Sequence, residues 1–132
     1  MAQLNPRELD VLNVLWKKSD DALTSTDIVN EQRGLTQSTV IAVLRKLLQD
    51  NLVEVAGVTH SGKVLSRTYR PTEESKNVIL QNFAEQYSHF KNVVSKTQLF
   101  DAILAIEQEP EQMKKEIADI KDLLTKYEKK KK

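Results

Sequence analysis

The chain has 132 residues, 39% of them apolar and 30% charged, and no cysteine, which is about one domain's worth and excludes a large multi-domain enzyme, disulfides, a thiolate metal centre and a cysteine nucleophile. No stretch is apolar enough for a membrane span, and the opening MAQLNPRELD lacks the apolar core of an export signal, so a cytoplasmic setting without membrane contact is expected. The net charge of +1 is unevenly spread: residues 1–32 hold three cations against six acids, whereas residues 33–70 hold Arg33, Arg45, Lys46, Lys63, Arg67 and Arg70 against only Asp50 and Glu54, so any polyanion contact is confined to one face.

Asn5-Pro6-Arg7-Glu8 supplies a cap, a proline for the first helical position and a glutamate three residues after the cap, which predicts a helix start. Leu9, Leu12, Leu15 and Trp16 then form its inward stripe, with Trp16 expected as a core anchor. Ser19-Asp20-Asp21 breaks this helix. Thr24 or Ser25 caps a short second helix running to about Gln32, with Ile28 and Val29 inward and Gly34 as a left-handed stop.

Thr36 caps a third helix, Gln37 to about Asp50, in which Val40, Val43, Leu44, Leu47 and Leu48 repeat at the spacing of one buried face. The opposite face carries Gln37, Ser38, Thr39, Ala42, Arg45, Lys46 and Gln49. Its first turn has small hydroxyls and no acid, which suits a phosphate backbone near the helix start. Residues 52–58 and 64–70, separated by Thr59-His60-Ser61-Gly62-Lys63, predict two strands around a turn. Three helices followed by a hairpin are the element order of a winged helix-turn-helix, the hairpin being the wing.

Beyond Pro71 a fourth helix is expected to run to about Val94, with Ile79, Phe83, Tyr87, Phe90 and Val94 along one stripe. Two short helices follow, the first bearing Leu99, Phe100, Ile103, Leu104 and Ile106 and the second, after Pro110, bearing Met113, Ile117, Ile120, Leu124 and Tyr127. The second stripe has the spacing of a coiled-coil seam. The fold class is therefore mainly α with a small β-hairpin wing: residues 1–71 as a winged-helix DNA-binding domain and residues 72–132 as a helical dimerisation region. Ile79, Phe83, Tyr87, Phe90, Leu99, Ile103, Leu104, Ile117, Ile120 and Leu124 are the candidate contacts of a homodimer. The closing Glu128-Lys129-Lys130-Lys131-Lys132 is expected to be a frayed, solvated tail.

His60 and His89 lack a carboxylate at ligand spacing, and there is no glycine-rich phosphate loop, nucleophile elbow or H-E-x-x-H pattern, so neither a metal site, nor a cofactor, nor an enzyme is expected. The third helix is instead expected to enter the major groove of double-stranded DNA. Gln37, Ser38, Thr39 and Ala42 would lie at the base edges, with Thr36 a further DNA-binding candidate at the helix start, Arg45 and Lys46 at flanking phosphates, and Lys63 and Arg67 would reach from the wing. Two alternatives stay open on these residues: a winged helix that docks a protein and binds no DNA, and a regulator with a small-molecule pocket beside the aromatic stripe of the fourth helix.

The segment Leu4 to Trp16, Leu35-Thr36-Gln37-Ser38-Thr39-Val40 leading to Leu44-Arg45-Lys46-Leu47, and Gly62-Lys63 through Tyr69-Arg70-Pro71 together resemble the BlaI/MecI/CopY family of bacterial winged-helix repressors over essentially the whole chain. The resemblance implies a homodimer on an inverted-repeat operator that represses transcription. Two features depart from the family pattern. The cysteine cluster of the copper-responsive branch is missing. The Asn-Phe bond whose cleavage releases the β-lactam branch, by protease action, falls by register near Ala105-Ile106, and the only Asn-Phe here, Asn82-Phe83, lies in the preceding helix.

Overall fold

The computed structural model describes residues 3–130. Six helices and one hairpin follow in order: α1 (Pro6–Lys17), α2 (Ser25–Glu31), α3 (Gln37–Gln49), β1 (Val53–Ser61), β2 (Val64–Pro71), α4 (Glu73–Phe90), α5 (Lys96–Ile106) and α6 (Pro110–Lys130). Two compact units divide the chain, one up to Gln86 and one from Tyr87 onward, so the boundary falls inside α4. No helix among the described residues is long and apolar enough to cross a membrane.

Local chemistry sets the ends of the first three helices. Asn5, Thr24 and Thr36 each cap a helix by accepting from a backbone N–H three residues on, and in α1 and α2 the third helical residue, Glu8 or Asp27, bonds back to complete a capping box. At the far end of α3, Asn51 adopts the left-handed conformation with φ 61°. There the N–H of Leu52 bonds Leu47 O at 2.8 Å and that of Asn51 bonds Leu48 O at 3.1 Å, the paired bonds of a Schellman ending, with Leu47 and Leu52 both buried. Gly34 and Gly62 also take positive φ, at the α2–α3 turn and the hairpin tip.

The core of the first unit gathers Val11, Leu12, Val14 and Leu15 of α1, Ile28 of α2, Val40, Val43, Leu44 and Leu47 of α3, Leu52, Val53 and Val78. α1 thus buries a broader face than the expected stripe, and Leu9 is only partly buried. Trp16 is not a core anchor. It lies half-buried, its Nε1 donates to Ser75 Oγ at 2.9 Å, and the Lys76 ammonium sits 4.6 Å from its ring centre, so it fastens α1 to the start of α4. Ser75, itself buried, donates in turn to Thr72 O at 2.6 Å, and Thr72 Oγ1 donates to Asn51 O at 2.8 Å. Replacing Ser75 with Ala leaves the indole N–H without this acceptor and is expected to lower stability by about 1–2 kcal/mol, measurable as a shift in the urea unfolding midpoint.

The hairpin is longer than its sequence indicates, because β1 continues through Thr59, His60 and Ser61 and leaves only Gly62 and Lys63 in the turn. Pairing is antiparallel from Val53↔Pro71 to Ser61↔Val64, with an irregularity between Val55 and Gly57 that sets Ala56 out of register. Leu23 forms an isolated bridge with Tyr69, through N–H···O bonds of 3.0 and 2.7 Å. That single residue ties the α1–α2 connection to the wing.

α4 ends at Phe90, short of the expected Val94. Ser95 caps α5 in a capping box with Gln98, and the Tyr87 hydroxyl donates to Val94 O at 2.8 Å across the turn, so the cap chemistry of α5 overrides the apolar period that continues to Val94. α6 is not short but 21 residues long, and it carries Glu128, Lys129 and Lys130 as regular helix where a frayed tail was expected; Lys131 and Lys132 lie outside the described residues. No residue of α5 or α6 is buried.

Candidate nucleic-acid interface

α3 turns its apolar side to the core and its other side to solvent. Thr36, Gln37, Ser38, Ala42, Arg45 and Lys46 are exposed and Thr39 is half-buried. Thr36 Oγ1 accepts from the Thr39 N–H at 3.2 Å and donates to Thr39 Oγ1 at 2.9 Å, while Ser38 Oγ lies 3.4 Å away. Three hydroxyls therefore sit together over the opening turn, with no acid in it. Gln37 Nε2 donates to Ser25 Oγ of α2 at 2.6 Å, which orients its side chain and leaves the amide oxygen as an acceptor.

The wing brings the second group of cations. Lys63 sits at the hairpin tip and Arg67 on β2, both exposed. Arg45 and Arg67 line one pocket of about 180 Å³, together with Ser25, Ile41 and Tyr69, so α3 and the hairpin each bring an arginine to it. Neither is in an ion pair among the described residues. Arg70 differs, because its Nε donates to Glu54 Oε1 at 3.0 Å. Its charge is balanced within the hairpin.

Lys46 differs too. Its ammonium lies 2.9 Å from Glu8 Oε2, a carboxylate whose residue is 1% exposed and whose other oxygen accepts the Asn5 N–H at 2.8 Å. Hydrogen bonding to Glu8, with the Coulombic attraction of the same group, raises the Lys46 pKa above the ordinary lysine value. A raised lysine pKa stabilises the fold fully below the unfolded value and loses that contribution only as pH climbs through the folded one, so the pair is intact at neutral pH. Glu8 is visible in the sequence as a capping-box residue; its role as partner to α3 is not.

Ile41 is a further residue of this face that sequence reasoning missed, being 45% exposed. It stands four residues after Gln37 and four before Arg45, which places it on the same outer stripe. His60 pairs with Leu65 next to the hairpin tip. Among the described residues no group of three His, Cys, Asp or Glu is placed to hold a metal ion.

The expected dimer contacts lie in two settings. Ile79 packs against the core of the first unit, and Phe83 is 61% exposed beside it. With Leu9, Asn13, Trp16 and Leu80 these two line a groove of about 660 Å³ between α1 and α4. In the second unit Tyr87, Leu99, Leu104 and Ile120 are half-buried, whereas Phe90, Ile103, Ile117 and Leu124 are exposed. The Asn82-Phe83 bond lies inside α4, with Asn82 buried, accepting the Leu4 N–H at 3.0 Å and donating to Val78 O at 2.9 Å. Ala105-Ile106 closes α5.

Three helices, a bulged hairpin joined to the α1–α2 connection by one bridge, and a hydroxyl- and arginine-bearing face on the third helix define a winged helix-turn-helix protein. The family model described as penicillinase repressor matches residues 4–126. The chain belongs to that family, whose members are DNA-binding transcriptional repressors. Among curated proteins none matches.

Solved structures agree in fold. A single-site variant of S. aureus MepR bound to an oligodeoxyribonucleotide is 16% identical, with a TM-score of 0.52 over 94% of this chain and 80% of that one. A second MepR variant is 17% identical with a TM-score of 0.53, over the same shares of the two chains. A third, from a multidrug-resistant clinical isolate of S. aureus, is 18% identical with a TM-score of 0.52, over 95% and 80%.

Proposed function

We propose that the chain is a homodimeric transcriptional repressor that occupies an inverted-repeat operator on double-stranded DNA. Residues 1–71 carry DNA reading and residues 72–132 carry self-association. It acts by holding a promoter, not by turning over a substrate. The observation that carries the reading is the meeting of Arg45 from α3 and Arg67 from the wing in one pocket, on a face whose helix contains no acid. A protein-docking winged helix has no need for two unpaired guanidinium groups beside an exposed row of hydroxyls, and a phosphate backbone next to a major groove matches both.

In this reading Gln37, Ser38, Thr39, Ile41 and Ala42 face base edges. Gln37 turns from Ser25 to an adenine, and the Thr, Ile or Ala methyls meet a thymine methyl. Arg45, Lys63 and Arg67 take phosphates, and the exposed apolar stripes of α4, α5 and α6 pair with those of a second copy.

The test is selection of binding sites from a random duplex pool at near-physiological salt, followed by fluorescence anisotropy of the enriched duplex across a salt series. A dyad-symmetric site is expected, its half-sites one or two helical turns apart. Three cations per half-site make about six phosphate contacts per dimer, which give a slope of log affinity against log salt of about −5. No enrichment would replace this reading by protein docking. In the same assay Arg45→Ala should weaken every sequence alike, by roughly 10- to 100-fold across the two half-sites, and Thr39→Ala should mainly relax base preference at one position per half-site, by about 1 kcal/mol or more.

A further inference from the structure

We propose that Glu8 is a positioning residue for the reading helix and that it withholds Lys46 from the DNA backbone, so that Arg45 alone supplies the phosphate contact of the helix's outer carboxy-terminal turns. This rests on the DNA-binding reading above and refines which cations take part in it.

Neighbouring cations on one helix have opposite surroundings. Arg45 is in no ion pair among the described residues. Lys46 is held at 2.9 Å by a carboxylate that is otherwise sealed from water. Glu8 cannot follow Lys46 outward, because its remaining oxygen closes the capping box on Asn5, and the adjoining Leu4 N–H is bonded to the buried Asn82 of α4. The amino end of α1 is thereby fixed on both sides. For Lys46 to reach a phosphate it must leave Glu8 as an unpaired, buried charge, which is among the most costly arrangements in a folded protein. A phosphate in water-exposed DNA offers less in return, since the attraction there is screened by solvent and salt.

The pair also has a geometric effect. The contact joins the first turn of α1 to the last third of α3, and so sets how α3 is rotated about its axis relative to the core. That rotation decides whether Ser38, Ile41 and Ala42 point squarely out of the domain. Buried polar groups fix register in some helical assemblies at a cost in stability, and Glu8, buried on α1 and met from the solvent side by the half-exposed Lys46, has the placement to do so here.

The experiment measures salt slopes for wild type, Glu8→Gln, Lys46→Met, the Glu8→Gln/Lys46→Met double variant and Arg45→Ala, on the enriched duplex and on a random-sequence duplex, each variant checked by circular dichroism. Lys46→Met and the double variant should keep the wild-type slope, whereas Arg45→Ala should flatten it by about 1.8, two phosphates per dimer. Glu8→Gln frees Lys46. It should steepen the slope by a similar amount, tighten binding to the random duplex several-fold and narrow the preference for the enriched site. If Lys46→Met loses too much stability to fold, the double variant, which removes the stranded charge, carries the same comparison. A slope flattened by loss of Lys46 as much as by loss of Arg45 overturns the proposal, and so does a Glu8→Gln slope equal to wild type. A wild-type chain that shows no salt-dependent duplex binding overturns instead the DNA-binding reading on which the proposal rests.

Discussion

A chain carrying Ile117→Glu together with Leu124→Glu is expected to sediment as a monomer and to lose operator affinity by more than 100-fold while keeping its winged-helix unit folded. Met113, Ile117, Ile120, Leu124 and Tyr127 run along one side of α6 at coiled-coil spacing, and Ile117 and Leu124 are 38% and 49% exposed in the single chain. Such a stripe on a 21-residue helix is far more apolar than a solvated surface requires. Pairing it with a second copy buries it, and an isologous pair places each substituted position at the interface twice. Two glutamates per chain put four carboxylates into an apolar seam, each requiring desolvation without a partner. Operator affinity falls with dimerisation because one half-site alone retains half the phosphate contacts and loses the effective concentration that the linked second reading head provides. Sedimentation gives the oligomeric state, anisotropy gives the affinity, and unchanged helical circular dichroism separates this outcome from unfolding.

How far the sequence determined these expectations differs from element to element. The extent and buried face of α3 were legible, since Thr36 has cap chemistry and the apolar period is unbroken from Val40 to Leu48. The wing was legible as a hairpin, but its length was not: Thr59, His60 and Ser61 have turn-like composition, yet they pair with Ser66, Leu65 and Val64 because the register is set by the Gly62 turn. The bridge between Leu23 and Tyr69 is one residue long and leaves no periodic trace.

The least legible features are partnerships between residues far apart in the chain. Trp16 looks like a core residue by type and spacing, and becomes a fastener only because Ser75, 59 positions away, is within reach of its N–H. Glu8 satisfies a local capping pattern completely, which gives no hint that its second oxygen takes a charge from α3. Arg45 and Lys46 look equivalent as a basic pair; one buried acid from another helix pairs with Lys46 and gives the two different surroundings.

Leu47→Ala is expected to be the most damaging single truncation in α3, at about 3 kcal/mol. Leu47 is fully buried, and it also accepts the Leu52 N–H that closes the helix ending, so the truncation opens a cavity directly beneath the turn that leads into β1. Leucine-to-alanine changes at such sites cost roughly 2–5 kcal/mol, the larger values arising where neighbours cannot collapse. Leu12, Leu15, Ile28 and Leu44, all nearly fully buried, belong to a close-packed core, and their movement is limited by helices capped at both ends or tied to the hairpin. The loss should appear as a fall of roughly 10–20 °C in the first unit's unfolding midpoint, or as a lower urea midpoint at unchanged slope. Protein concentration distinguishes this effect from the α6 substitutions. Damage to the core of the first unit shifts its unfolding equally at every concentration if that unit unfolds by itself. A weakened seam instead lowers the midpoint most in dilute solution, because dimer stability follows mass action.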